Sequence, residues 1–239
     1  MQLAVNCLTS LSLVVLMSNV CLSQRGNVYQ LNFQSMYTGE AVDVFDLREK
    51  TSVKGSMYYF DEWHDVHIRF ANGKSLSGYK GRYDLQFKSL ELKRQNEIVE
   101  VPSSLIDEFL IEREDPGAIN GIDTLRFVKI SDGDLQSLGF VEVLESGPIS
   151  LLRGVELEVL PANYVTTHDA GNTGSKYVQK EVLIIASEDR IDRLSSKKKE
   201  SAKILEEYQE KSKDYILDQK VNFKNQDEVT ELIIHLNNV

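Results

Sequence analysis

The chain has 239 residues, of which 41% are hydrophobic and 27% are charged, proportions typical of a folded domain rather than a disordered protein. Its formal net charge is −10 at pH 7. Recognition of a phosphate backbone needs clustered lysine and arginine, so this acidic balance argues against nucleic acid as a partner.

The N-terminal segment of the chain predicts export. Residues 1–23 contain no charged side chain, and the apolar run Leu8–Val20 has the length of a signal-peptide core but is short for a membrane-spanning helix. Cys21 and Ser23 supply small residues for a cleavage site before Gln24. We therefore predict a signal peptide over residues 1–23 that is cleaved after Ser23.

Two alternative fates of this segment stay open. It could be retained as a membrane anchor, because only the α-amino group supplies positive charge before the apolar run. Cys21 could instead be acylated as in a lipoprotein, although Val20 is branched where the lipoprotein peptidase takes a small residue. Cleavage after Ser23 would remove both cysteines, Cys7 and Cys21, and leave no disulfide, thiol nucleophile or cysteine metal ligand.

Alternation of apolar and polar residues predicts short β-strands from about Val28 to Arg193. In the clearest example, residues 66–70 alternate between the two kinds and lead into Asn72-Gly73, a strong hairpin signal. Further segments with this pattern are Tyr83–Phe87 continued by Leu90 and Leu92, Leu125–Phe127, Phe140–Leu144, Ile149–Leu152, Val155–Leu160 and Val178–Ala186. Gly147-Pro148 and Gly154 separate the later strands, and residues 166–175 predict a long loop.

The pattern becomes helical near Ser195. Residues 197–209 are rich in helix formers, and residues 211–218 predict a second helical piece. Asn225, with Glu228 three residues later, predicts the capped start of a last helix. Its apolar stripe consists of Val229, Leu232, Ile233 and Leu236.

These elements define the predicted fold class and domains. We predict an α+β protein in which residues 24–194 form an antiparallel β-rich sandwich or partly open barrel. Residues 195–239 form a helical C-terminal tail that packs on this body, because so short a segment buries little surface alone.

Two segments of the chain form a pattern together. Gly139-Phe140-Val141-Glu142-Val143-Leu144 leads through Gly147 into Ile149-Ser150-Leu151-Leu152, and Lys220-Val221-Asn222-Phe223-Lys224 precedes the last helix. With residues 55–58 and 82–85, this pattern resembles a group of exported, uncharacterised proteins of Bacteroidetes over about residues 38–239. The resemblance implies export, and it supplies no activity or catalytic residues that could be carried over to this chain. The chain departs from the group at the insert 115–122 and at Glu145-Ser146, where the group often has a basic position.

One cluster contains the residue types of a metal site. His64, His67, Asp61 and Asp65 could ligate zinc or a similar divalent ion. His64 and His67 are three residues apart, so a strand would place them on opposite faces, and only a turn over residues 61–64 would let them converge. We therefore predict a solvated strand entry and no metal, with these four residues as the alternative ligand set.

Three other features have both a structural and a functional explanation. Trp63 is predicted to be a half-buried core aromatic, with a platform for stacking a sugar as the alternative. Asp132-Gly133-Asp134 predicts a turn, because a calcium loop needs further oxygen ligands. His168 and Asp169, with Ser175, predict a solvated loop rather than a nucleophilic triad, because no G-x-S-x-G elbow accompanies them.

The sequence predicts a non-enzymatic, exported protein of the cell envelope that acts as an interaction or accessory component. It contains no phosphate loop, dinucleotide fingerprint or H-E-x-x-H motif, and we expect no catalytic residues and no cofactor. We expect a periplasmic or outer-membrane-associated location, another envelope protein as partner and only indirect membrane contact. Two alternatives stay open: a hydrolase of envelope or extracellular glycan that uses paired carboxylates, and a small-ligand carrier whose β-body encloses a cavity.

We predict that the secreted form begins at Gln24. Intact-mass measurement and N-terminal sequencing of protein recovered from a native-like host check this. A form that begins at Cys21 and carries the mass of a lipid would replace the signal-peptide prediction with the lipoprotein alternative.

Overall fold

The computed structural model describes residues 53–94, 97–118, 121–131, 133–161 and 174–239. The predicted signal segment, the strands expected before residue 53 and most of the predicted loop 166–175 lie outside the described residues. So do Asp132, His168 and Asp169.

Ten antiparallel β-strands in these described ranges form one sheet that is not closed. They are β1 (His64–Phe70), β2 (Ser75–Asp84), β3 (Ser89–Arg94), β4 (Glu97–Pro102), β5 (Ile106–Glu114), β6 (Ile122–Lys129), β7 (Phe140–Glu145), β8 (Ser150–Leu160), β9 (Lys176–Ala186) and β10 (Ile191–Arg193). The order across the sheet is β10-β9-β8-β7-β6-β5-β1-β2-β3-β4.

Three α-helices in the described residues follow the sheet: α1 (Lys198–Tyr208), α2 (Ser212–Asp218) and α3 (Gln226–Asn237). The side chain of Asn225 caps α3 by accepting a hydrogen bond from the N–H of Asp227 at 3.1 Å, which confirms the predicted helix start. The coarse fold prediction, an α+β protein with an antiparallel sheet and C-terminal helices, is therefore confirmed. Within the described part of the chain, no helix has the length and apolar character needed to cross a bilayer.

The first hairpin follows directly from the sequence pattern. Val66, Ile68 and Phe70 are buried on one face of β1, and Asn72-Gly73 forms the turn into β2. Gly73 has φ +80°, a left-handed conformation that glycine adopts without steric cost. The predicted strand and its turn are both confirmed.

The predicted strand over residues 83–92 is wrong, because a turn divides it into β2 and β3. Asp84 Oδ1 accepts hydrogen bonds from the N–H groups of Gln86 at 2.8 Å and Phe87 at 2.9 Å. These bonds satisfy the backbone locally and bend the chain, as aspartate commonly does in turns. Phe87 is consequently 57% exposed rather than part of the inner face.

The prediction that Gly154 separates two strands is also wrong, since β8 runs through it without interruption. A Cβ atom at this position would lie 2.9 Å from Cδ1 of Leu138. The glycine therefore permits the 3-10 helix Gly133–Leu138 to pack closely on β8, and it does not mark a turn.

The sheet curls until distant strands touch. Tyr83 on β2 and Phe140 on β7 are separated by three strands in the sheet order, yet their ring centroids are 5.8 Å apart. Four strand spacings in a flat sheet would hold them about 19 Å apart. Phe109 and Phe127 are buried on the concave side of the sheet, together with Tyr83 and Phe140. The rings of Phe109 and Phe127 stack with their centroids 4.7 Å apart.

The C-terminal helices pack on one end of the curled sheet. A single apolar cluster joins Leu151 of β8 and Ile185 of β9 to Leu205 of α1, Ile216 of α2 and Leu232 of α3. Ile149 and Asn237 add hydrogen bonds: the amide side chain of Asn237 donates to the Ile149 carbonyl at 2.8 Å and accepts from the Ile149 N–H at 2.9 Å.

We predict that Leu232→Ala lowers the free energy of unfolding by about 2–4 kcal/mol, the cost of a cavity at a fully buried leucine. Ile234 on the same helix is 41% exposed, so Ile234→Ala is the matched control and should cost under about 0.5 kcal/mol. Urea unfolding of the two variants measures both values. Equal losses would show that α3 does not dock through the Leu232 side.

Candidate functional site

A cleft of about 530 Å³ opens beside strand β9. It forms because β9 is eleven residues long and β10 pairs with only its last three, Ile184–Ala186. After Leu194 the chain leaves the sheet edge, and the segment that precedes α3 returns opposite to it. The lining residues are Lys180, Glu181, Val182, Leu183, Arg193, Leu194, Ser195, Ser196, Phe223, Lys224 and Gln226.

The cleft has an apolar base and a basic rim. Val182, Leu194 and Phe223 are buried beneath it. Three cations line the cleft and are exposed to solvent: Lys180, Arg193 and Lys224. Two serines, Ser195 and Ser196, line it as well. Glu181 is the one carboxylate among the lining residues. This combination of cations, hydroxyls and a small apolar surface is suited to binding an anionic group.

Two of the rim cations share one carboxylate. Arg193 donates to both oxygens of Glu156, at 2.6 and 3.1 Å. Lys180 lies directly opposite Glu156 in the β8–β9 ladder. Hydrogen bonds from Arg193, and to a lesser extent the charge of Lys180, lower the pKa of Glu156. The three cations of the rim outnumber the two carboxylates beside them, Glu156 and Glu181, so the rim keeps positive charge.

A polar network connects this rim to the inside of the sheet. Arg153 donates to Glu142 at 2.5 Å and to the hydroxyl of Tyr59 at 3.1 Å, and Tyr59 donates to Glu142 at 2.6 Å. Arg153 also donates to Gln226 in the cleft at 3.0 Å and lies 3.8 Å from Glu181. Burial, and then the charge of Glu142, raise the pKa of Tyr59, which keeps its hydroxyl a donor at neutral pH.

The predicted metal-site residues are not brought together. In β1, His64 is on the face of Val66 and Ile68, whereas Asp65 and His67 are on the other face. His67 Nε2 lies 3.0 Å from Glu112, and Lys80 donates to Asp65 at 2.8 Å.

The other two predicted ligands, His64 and Asp61, each contact a different neighbour. The ring of His64 meets Phe60 edge to face, and burial lowers the pKa of His64. Asp61 accepts a hydrogen bond from Ser56. In the described part of the chain, no group of three or more histidine, aspartate and glutamate side chains is arranged to hold a metal ion.

Trp63 is partly buried and packs against a cation. The guanidinium of Arg82 lies 4.4 Å from the Trp63 ring and 3.6 Å from the Tyr58 ring. Arg82 also donates to the buried carboxylate of Glu91 at 2.8 Å. One face of Trp63 is thus used in a structural cation–π contact.

Comparison of the chain with protein-family models, with curated proteins and with solved structures finds no match.

Sequence reasoning did not find the cleft. Its cations come from β9, β10 and the segment before α3, so no local motif joins them. The segment from Lys220 to Lys224 did stand out in the sequence, but as part of a resemblance and without a chemical role. The cleft exists because β10 covers only the end of β9. The length of β10 depends on strand pairing, which no sequence pattern showed.

We predict that Arg153→Met lowers the free energy of unfolding by about 3–5 kcal/mol, because it leaves the buried Glu142 charge without its partner. The combined change Arg153→Met and Glu142→Leu should cost less than Arg153→Met alone. Arg126 is half exposed and pairs with Glu108, which Arg69 also contacts at 3.4 Å, so Arg126→Met is the matched control and should cost under about 1 kcal/mol. Chemical denaturation measures all three, and equal losses for the two single variants would contradict the assigned role of Arg153.

Proposed function

We propose that this chain is an exported, non-enzymatic protein of the cell envelope that binds an anionic group of its partner in the cleft beside β9. The observation that carries the proposal is the convergence of Lys180, Arg193 and Lys224 on one open cleft, in a chain whose net charge is −10. A local cluster of cations on an acidic protein directs anions to that place.

The lining of the cleft favours binding over glycoside hydrolysis. The usual mechanism needs two carboxyl groups that flank the bond to be cleaved. Glu181 is the one carboxylate among the described residues that line the cleft, and it is 67% exposed and next to Arg153. A single carboxylate cannot supply both the general acid and the nucleophile or base that this mechanism uses.

Among the described residues, aromatic rings pack together on the concave side of the curled sheet. We infer that it is a partly open barrel rather than a two-sheet sandwich, a shape supported by the contact of β2 with β7. Its inner space is occupied by Phe109, Phe127 and Phe140, whose rings pack 4.7 to 5.1 Å apart. A carrier with an internal cavity is therefore less well supported than recognition at the outer cleft.

Export, the envelope location and the resemblance to exported proteins of Bacteroidetes complete the proposal. They rest on residues 1–23 and on the sequence patterns around residues 139–152 and 220–224. A partner in the envelope would present carboxylates or phosphates, which are abundant on acidic proteins and on envelope polymers.

Titration of the protein with inorganic phosphate and with succinate, followed by amide NMR, tests the proposal. We expect the largest shifts at Lys180, Ser195 and Lys224, and a loss of about thirtyfold in affinity when Lys180 and Lys224 are both changed to Gln, since each charged contact contributes about 1 kcal/mol. Lys203 is an exposed lysine of α1 away from the cleft, so Lys203→Gln is the control and should change nothing.

The same titration at high salt supplies a second criterion. Binding through exposed cations weakens as salt screens the charges. Shifts spread evenly over the lysines of the protein, or affinity unchanged in the Lys180 and Lys224 variant, would contradict the proposal.

A further inference from the structure

The outer edge of β9 is paired at both ends and open in the middle among the described residues. At its start, Lys54 donates to the Ser175 carbonyl at 2.9 Å and accepts from the Tyr177 N–H at 2.8 Å. At its end, β10 pairs with Ile184–Ala186, and the N–H of Leu194 donates to the Leu183 carbonyl at 2.9 Å. Residues 178–182 lie between these two partners, and within the described ranges no strand pairs with them on this edge. The contacts of Gln179 with the neighbouring segment are made by its side chain, which donates to the carbonyls of Ser56 at 3.3 Å and Tyr58 at 2.7 Å.

The direction of the backbone groups in this gap follows from the alternation of a strand. Neighbouring residues direct their N–H and C=O groups to opposite edges. The carbonyl of Ser175, the N–H of Tyr177 and the carbonyl of Leu183 all point to the outer edge. Gln179 and Glu181 have the same parity, so their N–H and C=O groups also point outward, where no backbone group of the described ranges pairs with them.

The gap opens into the basic cleft. Glu181 and Lys180 belong both to the open stretch and to the lining, and Arg193 stands where β10 ends. Lys224 faces them from the segment before α3. An occupant of the gap would therefore have its backbone against β9 and its side chains beside three cations, of which Arg193 is already paired with Glu156, and beside the carboxylate of Glu181.

We propose that the gap receives an extended acidic segment of a partner protein as an added β-strand, which rests on the proposed function of the cleft as an anion-binding surface. Backbone pairing with Gln179 and Glu181 supplies four hydrogen bonds, and carboxylates beside Lys180, Arg193 and Lys224 select an acidic chain. The open stretch of five residues is about 17 Å long, enough for a short strand.

The dimensions of the site favour a peptide over a small anion. A phosphate or a single carboxylate would contact the rim and leave the outward N–H and C=O groups of β9 unpaired. An added strand satisfies both the charges and the backbone, which is the way exposed sheet edges bind peptides elsewhere.

A capped peptide of about five alternating glutamate and valine residues is the probe, since that length matches the gap between the segments that pair with Tyr177 and Leu183. Two N-methylated versions have the same sequence and charge. In one the glutamate amides are methylated, and in the other the valine amides are methylated. Only one set of amides can face β9, so one version serves as the matched control for the other.

We expect the unmodified peptide to bind and one methylated version to lose about tenfold or more in affinity, because two backbone hydrogen bonds are removed. The other methylated version should bind within about threefold of the unmodified peptide. Amide hydrogen exchange at Gln179 and Glu181 should slow on binding, and Lys180→Gln with Lys224→Gln should weaken the peptide while Lys203→Gln does not.

The outcomes separate this inference from the proposed function. If both methylated peptides bind as well as the unmodified one, charge alone holds the ligand and the added strand is wrong, while the anion-binding cleft stands. If the amides of Gln179 and Glu181 are already protected without peptide, another segment of the same chain covers the edge and the inference is wrong. If phosphate, succinate and peptide all fail to bind, the proposed function itself is wrong.

Discussion

The hydroxyl of Tyr83 accepts a hydrogen bond from the N–H of Phe140 at 3.0 Å, across three intervening strands. This contact fixes the curl of the sheet. It requires Gly139, which has φ +74° and whose Cβ position would lie 2.6 Å from that hydroxyl oxygen. Once β2 and β7 meet, one face of the sheet becomes an interior, and Phe109 and Phe127 fill it. Glu142 also faces inward beside these rings, and it is tolerated because Arg153 and Tyr59 satisfy it.

The sequence predicted the parts of the fold that depend on neighbouring residues. Alternation in β1, the turn at Asn72-Gly73 and the cap at Asn225 all act within a few residues, and all are as predicted. Strands β4, β5 and β10 were not identified. β10 has only three residues and no alternation long enough to detect, and it exists because β9 offers an edge. The prediction for Gly154 was wrong because glycine is required there by a tertiary contact with Leu138, which the local sequence does not show.

The cleft could not be predicted for the same physical reason. Lys180, Arg193 and Lys224 are ordinary surface cations until the pairing of β9 with β10 and the return of the chain before α3 bring them together. Glu156 gave no signal in the sequence either, because its pairing with Arg193 depends on the register of the strands. The histidine and aspartate cluster at β1 is the reverse case, a group that is close in sequence but not in space. It was conspicuous in sequence, and the two faces of a strand separate it.

Cations at an open sheet edge have a second physical role that bears on how the cleft works. Lysine beside unpaired backbone groups discourages chance pairing with other strands, because a neutral or basic strand would have to desolvate the charge without compensation. Lys180 stands in the open stretch of β9, with Lys224 across from it. An acidic strand is the one kind of partner that converts this cost into an attraction. The same side chains that protect the edge from aggregation would therefore define its specificity, and the net charge of −10 would keep copies of the chain apart in the meantime.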